Sequence, residues 1–251
     1  MIAAVLPATA QLRLPAIMSD HMVIQRNEKI RFWGWADKGA RVTVALAGNT
    51  ASAKAARDGR WSVQLPALPA GGPYTVTVSS KKETITLDDV LVGEVWICSG
   101  QSNMEFMLRS INNADEEIRS ATNGNIRSFD VQKDMARFPK DDLKGDWKIC
   151  SPQTAGNFSA VGYLFCREIA ERLNVPVGLI NTSWGGTDIE SWMSMETIDA
   201  FPKYRRLMTR LRSEELEAYL ARGKEVEAAF LKAIADEPGE KEQWYLPSYS
   251  K

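Results

Sequence analysis

Between positions 30 and 87 apolar side chains fall on every second residue in short runs, at 30–36, 41–46, 60–65 and 74–78. A period of two sends alternate side chains to opposite faces of an extended chain, so each run predicts a half-buried β-strand. Gly48-Asn49, Asp58-Gly59 and Gly71-Gly72-Pro73 supply the turns. Residues 14–89 are therefore expected to form a small, jelly-roll-like β-sandwich.

Near Val90 the pattern changes. The runs at 90–98 and 175–181 are long and apolar, and predict strands buried on both faces. Between them a helix is expected to open at Ser159 as N-cap and to end at Asn174 and Pro176. Its stripe would hold Val161, Phe165 and Ile169, with Leu164 and Leu173 beside it. Strand, helix, strand in that order predicts a parallel sheet with right-handed crossovers, and assigns 90–200 to an α/β region. From Lys203 to Asp236 the chain is charged and helical. Tyr204, Leu207, Met208 and Leu211 make one face, and Val226, Phe230 and Ile234 another. Gly223 is expected to separate two helices and Pro238-Gly239 to stop the second. Residues 201–251 thus read as a helical insertion, a solvated structural element in preference to a partner-binding one.

Composition narrows the partners. The 251 residues include 31 Lys and Arg, 32 Asp and Glu and one His, a formal charge of −1. That balance argues against nucleic acid or a charged membrane surface as the main partner. No run approaches the roughly 18 apolar residues of a spanning helix, so no membrane insertion is expected. Residues 1–13 hold a short apolar run and Ala8-Thr9-Ala10, a small-residue pattern like a signal-peptidase site, without a positively charged leader region. They read either as the remnant of an export signal, which would make the protein periplasmic or extracellular, or as a flexible terminus. Cys98, Cys150 and Cys166 are widely spaced and contain no CxxC pair, which argues against zinc. One disulfide with a free thiol and three buried thiols both remain open.

Two segments carry candidate chemistry. In Trp96-Ile-Cys-Ser-Gly-Gln-Ser-Asn-Met-Glu-Phe106 a strand ends and a helix bearing Met104, Met107, Leu108 and Ile111 begins. Ligands of open α/β sheets bind beyond the carboxyl ends of strands, where helix N-termini offer unpaired N–H groups. Ser102 would hold its hydroxyl there, with Gly100 permitting the tight turn. The plainer reading is that Ser99 or Ser102 caps the helix. In the second segment, 181–192, another strand runs into Gly185-Gly186 and a helix start, with Thr187 and Glu190 at capping-box spacing. A glycine pair at a strand end lets a backbone amide approach a ligand closely, as an oxyanion hole requires, or serves only the turn. Glu105 and Glu190 read as solvating or capping carboxylates before pocket-lining ones. Trp184 and Trp192 read as packing before sugar stacking, and Asp188 as a charge favouring a helix N-terminus.

Together these segments resemble the SGNH-type (GDSL-like) hydrolases, most closely the sialate O-acetylesterase family. Leu14-Pro-Ala-Ile-Met-Ser-Asp-His-Met-Val-Ile-Gln25 is similar to that family's opening, and Gly93-Glu-Val-Trp-Ile-Cys-Ser-Gly-Gln-Ser-Asn-Met104 to its nucleophile block. Phe158-Ser-Ala-Val-Gly-Tyr163 and Gly178-Leu-Ile-Asn-Thr-Ser-Trp-Gly-Gly-Thr187 are similar to further signatures. The resemblance runs from about Leu14 to Trp192. It implies a flavodoxin-like three-layer α/β core, of which this chain carries the first half of the sheet, with an N-terminal β-sandwich and a helical hairpin insertion. Ser102 is then the nucleophile, the N–H groups of Ser102 and Gly186 belong to the oxyanion hole, and an acetyl group leaves a sugar hydroxyl through an acyl-serine intermediate. Neither metal nor other cofactor is required by that chemistry.

The family's Gln-Gly-Glu and Asp-x-x-His blocks are not in this sequence. Its only histidine, His21, precedes the β region and reads as structural. Serine without a base is a poor nucleophile, so this chain alone is expected to be nearly inert. A second chain or C-terminal part carrying the two blocks, separated by a cut near 243–251, is expected to complete the fold. The expected substrate is an acetylated sugar, sialate first. An acetylxylan or other plant-glycan acetylesterase, and a non-catalytic carbohydrate-binding protein, are the alternatives.

Overall fold

The structure, a computed structural model, describes residues 11–81, 83–136, 139–213 and 215–235. The Ala8-Thr9-Ala10 pattern, Pro238-Gly239 and the expected cut near 243–251 lie outside the described residues. The chain forms two compact units, one up to Gly185 and one from Gly186 onward.

The first unit opens with β1 (Val23–Gln25), β2 (Ile30–Trp35), β3 (Arg41–Leu46), β4 (Asn49–Lys54), β5 (Arg60–Leu65), β6 (Gly71–Ser80) and β7 (Glu83–Cys98). β2 pairs antiparallel with β5, while β4, β3, β6 and β7 lie in that order in a second sheet. Alternate residues go inward as the period of two demands: Ile30 and Phe32, Val42 and Val44, Trp61 and Val63 are buried, and join Val76, Val78, Leu87 and Val90 in one core. β4, with no side chain larger than alanine among its apolar residues, exists because a two-residue turn folds it back on β3. Ala47 and Gly48 make that turn at φ +49° and +78°. Gly71-Gly72-Pro73 is not a turn; it begins β6, where the pairing with β7 is irregular.

After β7 come α1 (Ser102–Glu105), α2 (Ala114–Ser120), β8 (Ile126–Asp130), β9 (Trp147–Ile149), α3 (Ala160–Leu173) and β10 (Val177–Asn181). Residues 94–98 of β7 pair parallel with β10, β10 pairs parallel with β8, and β9 runs antiparallel at the far side of β8. β7 therefore belongs to both patterns read from the sequence and passes position 89/90 without a break. Gly93 sits where it crosses the chain entering β10: a Cβ there would lie 2.0 Å from the Pro176 carbonyl oxygen.

Two expectations need correction. β7 is not buried on both faces throughout, since Trp96 is 43% and Ile97 68% exposed. β1 leaves β7 after Gly93, the Val95 N–H is taken by Gln25 Oε1 at 2.9 Å, and no described strand continues that side of β7. On α3, Ser159 Oγ accepts from the Gly162 N–H at 3.1 Å and Asn174 ends the helix at φ +50°, as the sequence predicts. The buried stripe, however, is Tyr163, Cys166 and Ala170 with Gly162, and Val161, Phe165 and Leu173 face outward. Beside Tyr163 the inward face takes small residues because the helix lies very close to the sheet there: a Cβ on Gly162 would be 2.8 Å from both Cys98 Sγ and Leu179 Cδ2. Phe165 instead meets Trp96 edge-on, with 5.0 Å between ring centroids. All three cysteines are free and buried, and burial pushes the Cys150 thiol up to about 11 and Cys166 to about 12.

In the second unit a short turn at Ile189–Trp192 precedes α4 (Met195–Asp199), α5 (Arg205–Arg212) and α6 (Glu215–Ala235). The break between the two longer helices falls between Arg212 and Glu215, not at Gly223, which lies inside α6. A single glycine costs a helix about 1 kcal/mol relative to alanine, too little to stop one of 21 residues. Met208 is buried and Val226 is 57% exposed. The side chains of Leu207, Leu211, Phe230 and Ile234 lie outside the described residues. No described helix is long and apolar enough to cross a membrane.

Candidate active site

Where β7 and β10 end, their continuations stay hydrogen-bonded. The Thr182 N–H donates to the Cys98 carbonyl at 2.8 Å, and the Trp184 N–H to the Gly100 carbonyl at 2.8 Å. This zipper carries the glycine turn to Ser102. A Cβ on Gly185 would lie 3.4 Å from Ser102 Cα and Cβ. Gly100, at φ +129°, occupies a conformation that favours glycine and turns the chain between β7 and α1.

Ser102 is the first residue of α1; the cap position belongs to Gln101, which makes no side-chain cap bond. The plainer reading of a capping serine therefore does not hold. Ser102 is exposed, and among the described residues its hydroxyl has no hydrogen-bond partner. The long helix expected through Ile111 is also corrected. α1 is a single turn, because the Leu108 N–H donates to the Phe158 carbonyl and the Ala160 N–H to the Phe106 carbonyl, at 2.9 and 2.8 Å, which draws the chain out of helical geometry. The Phe158-Ser-Ala segment thus holds down the back of the serine turn.

Glu105, one turn after Ser102, accepts from the Gly185 N–H at 2.5 Å and pairs with Lys133. Burial alone would raise its carboxyl. The hydrogen bonds from Lys133 and Gly185, with the Lys133 charge, outweigh burial and hold it below the usual carboxylate value. Lys133 also stands 5.6 Å from the centre of the Trp184 ring. One shell back, Asn181 Nδ2 donates to Asp130 Oδ1 at 3.0 Å, and Asn181 Oδ1 accepts from the Ser183 N–H and hydroxyl at 3.1 and 2.6 Å. Burial raises the Asp130 carboxyl against the hydrogen bond from Asn181. These bonds tie the ends of β8 and β10 together beneath the glycine turn.

The structure thus brings Ser102, Glu105, Gly185 and Trp184 together. Gly186 follows directly at φ +77° and opens the second unit. There Asp188, not Thr187, occupies the cap position, without a side-chain cap bond. Thr187 Oγ1 accepts from Trp192 Nε1 at 2.9 Å, and Glu190 accepts from the Tyr204 hydroxyl, so the expected capping box is replaced by these two contacts. Lys133, Asp130 and Asn181 were not singled out in the sequence. Their common signal is position at or just past the carboxyl ends of parallel strands, and β8 was not recognised as one.

His21 lies elsewhere. Its Nδ1 is 2.7 Å from Asp89 Oδ2, and Asp89 Oδ1 accepts from Arg127 Nη2 at 2.9 Å. From Asp89 to the end of β7 is on the order of 30 Å of extended strand, so His21 cannot serve Ser102. Its role is structural, as the sequence implied.

A mixed α/β sheet that gathers a free hydroxyl, a glycine turn and an ion pair beyond the ends of parallel strands has the layout in which open-sheet proteins bind their ligands. The carbohydrate esterase, sialic acid-specific acetylesterase family matches residues 92–228, more than half of the chain, and the chain belongs to that family. It is 35% identical over 208 residues to the sialate O-acetylesterase of Rattus norvegicus, covering 75% of this chain and 38% of that protein. To the sialate O-acetylesterase of Homo sapiens it is 34% identical over 209 residues, covering 75% and 40%. A crystal structure of a carbohydrate acetylesterase from Xanthomonas citri superposes with a TM-score of 0.74 at 37% identity, over 75% of this chain and 44% of that one. The chain spans less than half the length of each of these relatives.

Proposed function

We propose that this chain carries the nucleophilic part of a serine esterase that removes O-acetyl groups from carbohydrate, sialate first. Ser102 Oγ attacks the acetyl carbonyl, and the N–H groups of Ser102 and Gly186 take up the charge on its oxygen. The sugar hydroxyl leaves with a proton, and water then releases acetate from the acyl-serine. The base comes from polypeptide carrying the Gln-Gly-Glu and Asp-x-x-His blocks, on a second chain or a C-terminal part. With this reading goes the finer architecture: half of a flavodoxin-like SGNH core, with 14–89 as its sandwich and 201–251 as a helical insertion.

The observation that carries the reading is Ser102 itself, exposed, uncommitted and held against Gly185 by the zipper between the two strand ends. Glu105 supports it by fixing that turn from the other side: with its N–H on the carboxylate, Gly185 cannot drift from α1. Family membership supports the ester and the sugar, and the matched relatives, named for sialate in mammals and for carbohydrate in Xanthomonas citri, support sialate before other glycans.

The test is hydrolysis of 4-nitrophenyl acetate by the chain together with polypeptide bearing Asp-x-x-His. Ser102→Ala is expected to lower turnover by at least about a thousandfold, and the lone chain to run on the order of a million-fold slower than the completed protein. Unchanged hydrolysis by Ser102→Ala would remove the nucleophile assignment. Full activity of the lone chain would remove the divided site.

A further inference from the structure

We propose that the outer face of the β2–β5 pair binds an acidic oligosaccharide, at a site separate from Ser102. A groove of about 520 Å³ opens there. On β2 the period of two that buries Phe32 turns Arg31, Trp33 and Trp35 outward, and on β5 Ser62 stands opposite Trp33 and Arg60 opposite Trp35. The groove is completed by Lys54 at the end of β4 and by Lys140 and Asp141 from the segment after β8. None of these residues belongs to the strand ends around Ser102.

Two features point to a ligand. The first is the aromatic surface: two half-buried indoles two residues apart on one strand present flat apolar area of the kind that packs on the C–H faces of pyranose rings. Arg13 and Arg31 lie over Trp35 and Trp33, at 3.7 and 5.8 Å from the ring centres. The second is charge. Four cations and one carboxylate line the groove of a chain whose net charge is −1. Arg60 pairs with Asp58 and Asp141 and Lys140 with Asp134, but Arg31 bonds only to Ser62 Oγ, at 3.0 Å, and Lys54 meets no carboxylate among the described residues. Two positive charges are thus left for a ligand acid. Ring faces and a carboxylate are the combined chemistry of an acidic sugar. The choice of a glycan rests on the esterase reading; the groove does not.

The test is titration of the 251-residue chain, followed by NMR of the indole N–H signals, with sialyllactose, lactose and a thymidine oligonucleotide as probes. Sialyllactose is expected to shift the Trp33 and Trp35 signals. Lys54→Glu, an exposed change that leaves the core untouched, should weaken it about tenfold, and Trp33→Ala more. Ser102→Ala should bind as the parent does, so this inference can fail while hydrolysis survives, and the reverse. Undiminished binding by both groove variants, equal binding of lactose, preferential binding of the oligonucleotide, or loss of binding in Ser102→Ala would each overturn it.

Discussion

The sandwich and the α/β half of the first unit share β7, yet they close their cores differently. In the sandwich the β2–β5 pair covers the inner face of the second sheet, and Phe32, Val42, Val44, Val76 and Val78 are almost wholly buried. In the α/β half a helix covers one face close in, and the strand that leads to Ser102 still shows Trp96 and Ile97 to solvent. The sandwich core is closed, with Phe129 and Trp147 of the α/β half joining it from one side. The half that carries the candidate chemistry stands beside a strand side that no described strand covers, in a chain that spans less than half of its relatives.

The sharpest way to break this comparison is at the joint. Gly93→Ala forces a methyl into the Pro176 carbonyl and is expected to cost more than about 3 kcal/mol in chemical denaturation; a loss under about 1 kcal/mol would mean that the halves do not press on each other there. Next come Phe32→Ala in the sandwich and Phe158→Ala in the α/β half, each 1% exposed and each expected to cost about 3–5 kcal/mol. If β7 makes one cooperative body, both variants shift a single transition, and two separable transitions in calorimetry would divide it.

Asp89→Asn is a smaller blow at the same joint. It leaves the 4% exposed Arg127 guanidinium short of its carboxylate, for about 2 kcal/mol at neutral pH. Burial would raise the Asp89 carboxyl, but hydrogen bonds from His21 and Arg127, with their charges, hold it below its usual value. A lowered folded pKa gives stability that is complete above about pH 4 and fades as pH falls through that lowered value. The thermal midpoint of the parent should therefore drop below pH 4 by more than that of Asp89→Asn, and equal slopes would count against the pair. Least of all, Ile97→Thr is expected to change the stability of this chain by less than about 0.5 kcal/mol, although the position is apolar and paired within the strand. A loss of 2 kcal/mol would show that the edge is covered after all.

How much of this was legible in the sequence follows from where each residue finds its partners. β2, β3 and β5 are half-buried strands whose alternation is written in their own residues, and they appear where the pattern puts them. β8 reads Ile126-Arg-Ser-Phe-Asp130 and hides its character, because Arg127 and Ser128 are buried in it. Arg127 can be buried only because Asp89 and the His21 carbonyl, remote in sequence, accept its hydrogen bonds. The caps of α3 are local and legible; its inward face depends on how closely the helix approaches Leu179 and Cys98, and is not. At the candidate site Ser102 and the glycine pair stand out as turn residues at strand ends. Lys133 does not, since its partner Glu105 is brought to it only by the sheet.

The 16 residues of β7 run from the sandwich to the threshold of Ser102 with no linker between. An exchange of modules by recombination would have to cut through paired backbone, so the sandwich and the serine turn are expected to be inherited, and engineered, as one piece.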